Sequence, residues 1–136
     1  MTFTLRKYPC SIALLLLIGY LSFFRPPSPP KIEIIIGIDK LIHMGMYATF
    51  SGMLWLEYFL AHTSGSSMRK GWWLCTIFPI ATGGIIEIGQ WMMTDYRSGD
   101  WLDFLANTSG VVLATLIAHG LVRQFLMPVR DRLWKK

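Results

Sequence analysis

Four apolar runs, at about residues 10–24, 41–61, 72–93 and 101–122, divide the chain, and polar or helix-breaking residues bound each of them. The last three are long enough to be read as membrane-crossing helices, which need about 20 predominantly apolar residues. The first follows Arg6 and Lys7 and ends at Phe23, Phe24 and Arg25, without the small-x-small pattern of a cleavage site, so it is expected to be retained as a helix. Pro26, Pro27, Pro29 and Pro30 then force an extended connection. A Ser/Gly turn at 62–71, closed by Arg69 and Lys70, precedes Trp72 and Trp73 at the start of the third run. Pro79 is expected to kink this run. A short loop at 94–99 leads to the fourth, where Asp100 or Ser98 is placed to cap the helix.

The fourth run is the least uniform. At about 100° per residue, Asp100, Asp103, Ala106, Asn107, Gly110, Ala114 and Ala118 share one face, while Leu102, Leu105, Val112 and Leu116 turn elsewhere. A carboxylate facing lipid is costly and a row of small residues lets a neighbouring backbone approach, so this face must meet other helices. The expected partner is the Gly83 and Gly84 stretch of the third run, which would bring Glu87 near Asp103 and Asn107.

Composition agrees with a membrane protein: 53% of the 136 residues are hydrophobic and 15% charged. The net charge of +5 comes from basic residues at the ends of apolar runs, with no aromatic-basic surface patterned among them, so a nucleic-acid partner is not expected. Cys10 and Cys75 lack metal-ligand spacing and indicate neither zinc nor a disulfide. Arg6, Lys7, Arg69, Lys70, Arg123, Arg130, Arg132, Lys135 and Lys136 lie on the side of both termini and the 62–71 turn, leaving Arg25, Lys31, Lys40 and Arg97 for the other side. The positive-inside rule therefore puts both termini in the cytoplasm. The expectation is an all-α membrane protein with four transmembrane helices, one domain spanning 1–136, in the bacterial cytoplasmic membrane. Its basic tail, 123–136, is expected to lie on the anionic cytoplasmic face.

With that sidedness, Asp39, Lys40 and His43, then Glu87 and Gln90, then Arg97, Asp100, Asp103 and Asn107 all approach the extracytoplasmic face. At 1.5 Å per residue, Asn107 lies about 10 Å deeper than Asp100, within the outer third of a core about 30 Å thick. Each group also has a plain structural reading. Asp39 and Asp100 are natural helix caps, Lys40 can snorkel, Arg97 can pair with Asp100 or Asp103, and Gln90 and Asn107 can fasten helices. Glu87 and Asp103 sit a turn or more inside their runs, where ionisable groups tend to mark a site. Glu57 is read as solvated at the inner interface, and His62 and His119 lie too far from His43 to join it.

The ordered motifs Asp39-Lys40-x-x-His43, Glu87-x-x-Gln90 and Arg97-x-x-Asp100-x-x-Asp103-x-x-x-Asn107-x-x-Gly110 resemble the VanZ-like family of small bacterial membrane proteins over about residues 38–120. The resemblance implies a link to glycopeptide susceptibility of the teicoplanin type and carries no settled reaction or cofactor. Three functions use the same cluster. In the first, Asp39, Lys40, Gln90, Arg97, Asp100 and Asn107 serve to bind or modify a lipid-linked envelope precursor or a glycopeptide. In the second, Glu87, Asp103 and His43 act as acid-base catalysts on a lipid-linked substrate, a variant placing a divalent metal on His43, Glu87 and one Asp, against which Lys40 and Arg97 argue. In the third, the polar groups only fasten helices. No metal site is assigned from the sequence.

Overall fold

The computed structural model describes residues 6–24, 38–62, 67–93 and 100–134, and these are helical with no strand among them. Helix α1, Pro9–Phe23, begins with proline at its first turn, where a missing N–H costs nothing, and ends at the extended Phe24. Helix α2 is Ile38–Ala61. Helix α3, Met68–Met93, contains a π turn at Trp73–Ile77. Helix α4, Trp101–Ile117, continues through a second π turn, Ala118–Val122, into α5, Arg123–Trp134.

The π turn in α3 sits immediately before Pro79, whose ring nitrogen cannot donate to the carbonyl one turn back. That carbonyl, on Cys75, accepts instead from Ser51 Oγ of α2 at 2.6 Å. The expected irregularity at Pro79 is thus a π turn whose displaced carbonyl is satisfied by a neighbouring helix.

The helices alternate in direction. The first turn of α1 meets Glu57 near the end of α2, while Ser22 and Phe23 at its other end meet Gln90 and Gly89 near the end of α3. The first turns of α2 and α4 meet through Lys40, Asp100 and Asp103.

Around an apolar core that includes Tyr47, Phe50, Leu54 and Trp55, burial departs from that of a water-soluble domain. His43, Glu57, Glu87, Gln90, Asp103, Asn107 and Thr115 are buried, whereas Leu16, Ile85, Trp91, Met92, Trp101 and Leu116 are each at least 65% exposed. Exposed apolar surface of this extent has no stable place in water and matches lipid. Met68–Met93 and Trp101–Arg132 are each long and apolar enough to cross a bilayer. These features are those of a membrane protein.

One expectation changes. The small row of α4 packs on α2, not on the glycines of α3: a Cβ on Gly110 would strike Met44 O and lie 3.0 Å from Ala48 N, and Ala114 Cβ lies 3.9 Å from the Cβ position of Gly52. Gly83 still approaches this helix, where a Cβ added to it would lie 3.4 Å from Asn107 Cβ, but beside the row. The basic tail continues helically from α4 and brings Arg130 onto α2, where its guanidinium donates to the carbonyls of Phe59 and His62. It thereby caps a helix that ends without a glycine.

Candidate functional site

Helical periodicity accounts for the centre of the site. Asp39 and His43 are one turn apart on α2, with Lys40 beside them, and Asp100, Asp103 and Asn107 descend one face of α4. Asp100 is the N-cap, its Oδ1 accepting from Leu102 N at 2.9 Å. Its Oδ2 accepts from Lys40 Nζ at 2.5 Å. Lys40 also donates to Oδ1 of Asp103, so one ammonium ties two carboxylates across the α2–α4 contact. Both bonds raise the Lys40 pKa, and the Lys40 bond, aided by the Leu102 amide, lowers that of Asp100. Both residues lie just outside the apolar runs.

His43 is 6% exposed. Its Nδ1 lies 3.2 Å from Asn107 Oδ1, and its Nε2 lies 3.8 Å from both Asp39 Oδ1 and Asp103 Oδ2. An amide oxygen can only accept, so the Nδ1 position carries hydrogen and Nε2 is left facing carboxylate oxygens. Asn107 is itself buried, with its Nδ2 unbonded among the described residues.

Six of the expected residues therefore converge: Asp39, Lys40, His43, Asp100, Asp103 and Asn107. Glu87, 7% exposed, lines a cleft of about 480 Å³ between α3 and α4, together with Gly84, Ile88, Trp91, Trp101, Phe104 and Asp100. Asp100 is the residue common to cleft and charge cluster. Gln90 faces α1, donating from Nε2 to Ser22 O at 2.9 Å. Arg97 lies outside the described residues.

Glu57 corrects the sequence expectation. It is 7% exposed, and its carboxylate accepts from Cys10 N at 2.9 Å, Ser11 N at 3.1 Å and Ser11 Oγ at 2.5 Å. An acid near the end of one helix caps the start of another, a partnership no local spacing reveals. A second polar layer lies at that end of the bundle. Fully buried Trp55 donates to Thr115 Oγ1 at 3.3 Å, and Thr76 and Thr115 hydroxyls lie 2.9 Å apart. His119 stacks edge-on against Trp55, with centroids 4.6 Å apart. These groups bond one another and helix carbonyls, a fastening role.

Neither curated proteins nor solved structures return a match to this sequence. A family model described as VanZ/LLP1 matches residues 11–123, extending the resemblance seen from residue 38 back through α1. That range holds every helix joined by the Lys40, Glu57 and Gln90 contacts, and the chain accordingly belongs to the VanZ/LLP1 family.

Proposed function

We propose that this protein spans the bacterial cytoplasmic membrane four times and binds an amphiphilic, lipid-linked envelope precursor at its extracytoplasmic end, thereby lowering susceptibility to teicoplanin-type glycopeptides. The observation that carries the reading is the position of Asp100, shared by a charge cluster and an aromatic-walled cleft. An apolar chain fits along Ile88, Trp91, Trp101 and Phe104, while a polar head meets Asp39, Lys40, His43 and Asp103. Four alternating helices, with α2 about 36 Å long at 24 residues, support the span count; α1 at 15 residues is about 23 Å and needs a locally thinned bilayer.

The test is binding of lipid-linked peptidoglycan precursor to the purified protein in nanodiscs, followed by quenching of tryptophan fluorescence. Saturable binding weakened about tenfold by Trp101→Ala supports the reading, the expected scale for a buried aromatic anchor. Equal quenching by a phospholipid of the same chain length, with no effect of Trp101→Ala, removes it. A second reading, acid-base catalysis on the same lipid, is favoured by His43 being oriented between Asn107 and Asp103. Turnover of bound precursor by intact protein but not by His43→Gln distinguishes it from binding alone.

A further inference from the structure

We infer that Asp39, His43 and Asp103 form a binding site for a divalent transition-metal ion, Zn²⁺ or Mn²⁺. The ligand atoms one from each residue lie within 4.8 Å of one another, and both carboxylate oxygens are 3.8 Å from His43 Nε2. Ligand atoms each about 2.1 Å from a tetrahedral ion lie about 3.4 Å apart, so each His-Asp pair needs to close by only about 0.4 Å. The two carboxylate oxygens, within 4.8 Å of one another, need to draw together by up to about 1.4 Å to reach the same spacing. Asp39, whose side chain is 54% exposed, stands on the open side of the site and leaves a route for the ion.

The orientation of the buried imidazole points to a ligand as well. With Nδ1 directed at Asn107 Oδ1, Nε2 faces two carboxylate oxygens, a position that favours a positive charge between them, carried by a proton or by a metal ion. Metal-bound histidines characteristically donate their second ring N–H to a fixed acceptor, which Asn107 provides. Lys40 had argued against a metal in the sequence. In the fold it bonds Oδ1 of Asp103 and Asp100, leaving Oδ2 of Asp103 toward His43. It orients one ligand without occupying the site. One imidazole and two carboxylates form a donor set of intermediate hardness, suited to Zn²⁺ or Mn²⁺ rather than to Ca²⁺ or Cu⁺. Glu87 is not among the ligands; Asp39 takes the place expected for it.

The inference stands apart from the amphiphile reading, because metal retention can be measured without a lipid ligand. The full chain in detergent is stripped with chelator, equilibrated separately with Zn²⁺ and Mn²⁺, desalted and analysed by elemental mass spectrometry. About one ion per chain is expected for one of the two metals, falling at least about tenfold in affinity in Asp39→Asn and in His43→Gln. Asp39→Asn guards against misfolding, since its exposed side chain contributes little packing, and its thermal transition in chelator is compared with that of the intact chain. His62→Gln, at the opposite end of α2, is expected to retain the metal. No retention of either ion by the intact chain, or retention unchanged in Asp39→Asn, or retention lost in His62→Gln, overturns the site.

Discussion

Glu57 Oε2 holds Ser11 twice, through the backbone N–H at 3.1 Å and the hydroxyl at 2.5 Å, and so fixes the first turn of α1 to the last turns of α2. Helix α1 has no side-chain cap of its own, and Tyr8 precedes a proline that supplies no N–H. The carboxylate therefore does the work of an N-cap and places negative charge at the positive end of the helix dipole. Glu57→Ala is expected to destabilise the protein by about 2 kcal/mol, the scale of a lost cap plus charge-assisted hydrogen bonds. Glu57→Gln keeps one accepting oxygen and should lose less. Thermal unfolding in detergent checks both; an unchanged midpoint for Glu57→Ala would show that α1 is held by apolar contact alone.

The packing of α4 on α2 makes an equally specific demand at Gly110. An added Cβ meets the backbone of Met44, which cannot swing aside as a side chain would. Gly110→Ala should cost about 2 to 3 kcal/mol through forced separation of the helices. Gly45, on α2, has nothing within 4 Å of its Cβ position, and Gly45→Ala should be neutral or stabilising by up to about 1 kcal/mol through helix propensity. Equal unfolding midpoints for the two variants would contradict this helix contact.

How much of this was legible in sequence follows from the range of each interaction. The polar and small face of α4 repeats at helical spacing, so Asp103, Asn107, Gly110, Ala114 and Ala118 were correctly placed inward. The facing helix was not legible, because α2 and α3 both carry glycines and only backbone proximity chooses between them. Glu57 looked solvated because it follows an apolar run near a turn; its partners lie 46 and 47 positions away. Gln90 likewise bonds a carbonyl 68 positions away. Side-chain spacing says nothing of main-chain acceptors on another helix.

The Lys40 bridge gives a signed pH dependence. Asp100 has a lowered pKa, so its stabilising contribution is present above the ordinary carboxylate value near 4 and is lost as pH falls through the lowered one. Lys40 has a raised pKa, so its contribution is full below the ordinary lysine value near 10 and is lost only as pH rises through the raised one. Stability from this bridge should be level across neutral pH and fall in acid. Lys40→Met is expected to flatten the acid limb of a plot of unfolding midpoint against pH. An identical acid limb in the variant would remove the bridge from the account.

Sidedness is tested by labelling with a membrane-impermeant thiol reagent in intact spheroplasts, in a chain carrying Cys10→Ser and Cys75→Ser. Ile38→Cys should label from outside, and Ser67→Cys only after lysis. Both positions are partly or fully exposed and lie at opposite ends of the bundle. Reversed labelling would place the charge cluster in the cytoplasm and end the reading of an extracytoplasmic ligand.

The sharpest separation of function from scaffolding lies in removing one charge at a time from Glu87 and Asp103. Asp103→Asn preserves shape and leaves Lys40 its bond to Asp100, while Glu87→Gln keeps hydrogen-bonding capacity within the wall of the cleft. A network that only fastens helices tolerates such changes within about 1 kcal/mol, since neutralising a buried carboxylate also removes its desolvation cost. A site needing a negative charge, a proton acceptor or a metal ligand does not. Both variants are expected to reach the membrane in normal amount and to lose whatever glycopeptide tolerance the intact protein confers under the proposed function, measured as minimal inhibitory concentration alongside immunoblotting of membrane fractions. Full tolerance in both would leave the carboxylates without a functional part. Loss of the protein from the membrane would instead assign them to the scaffold, because the same substitutions would then have removed an element of the fold.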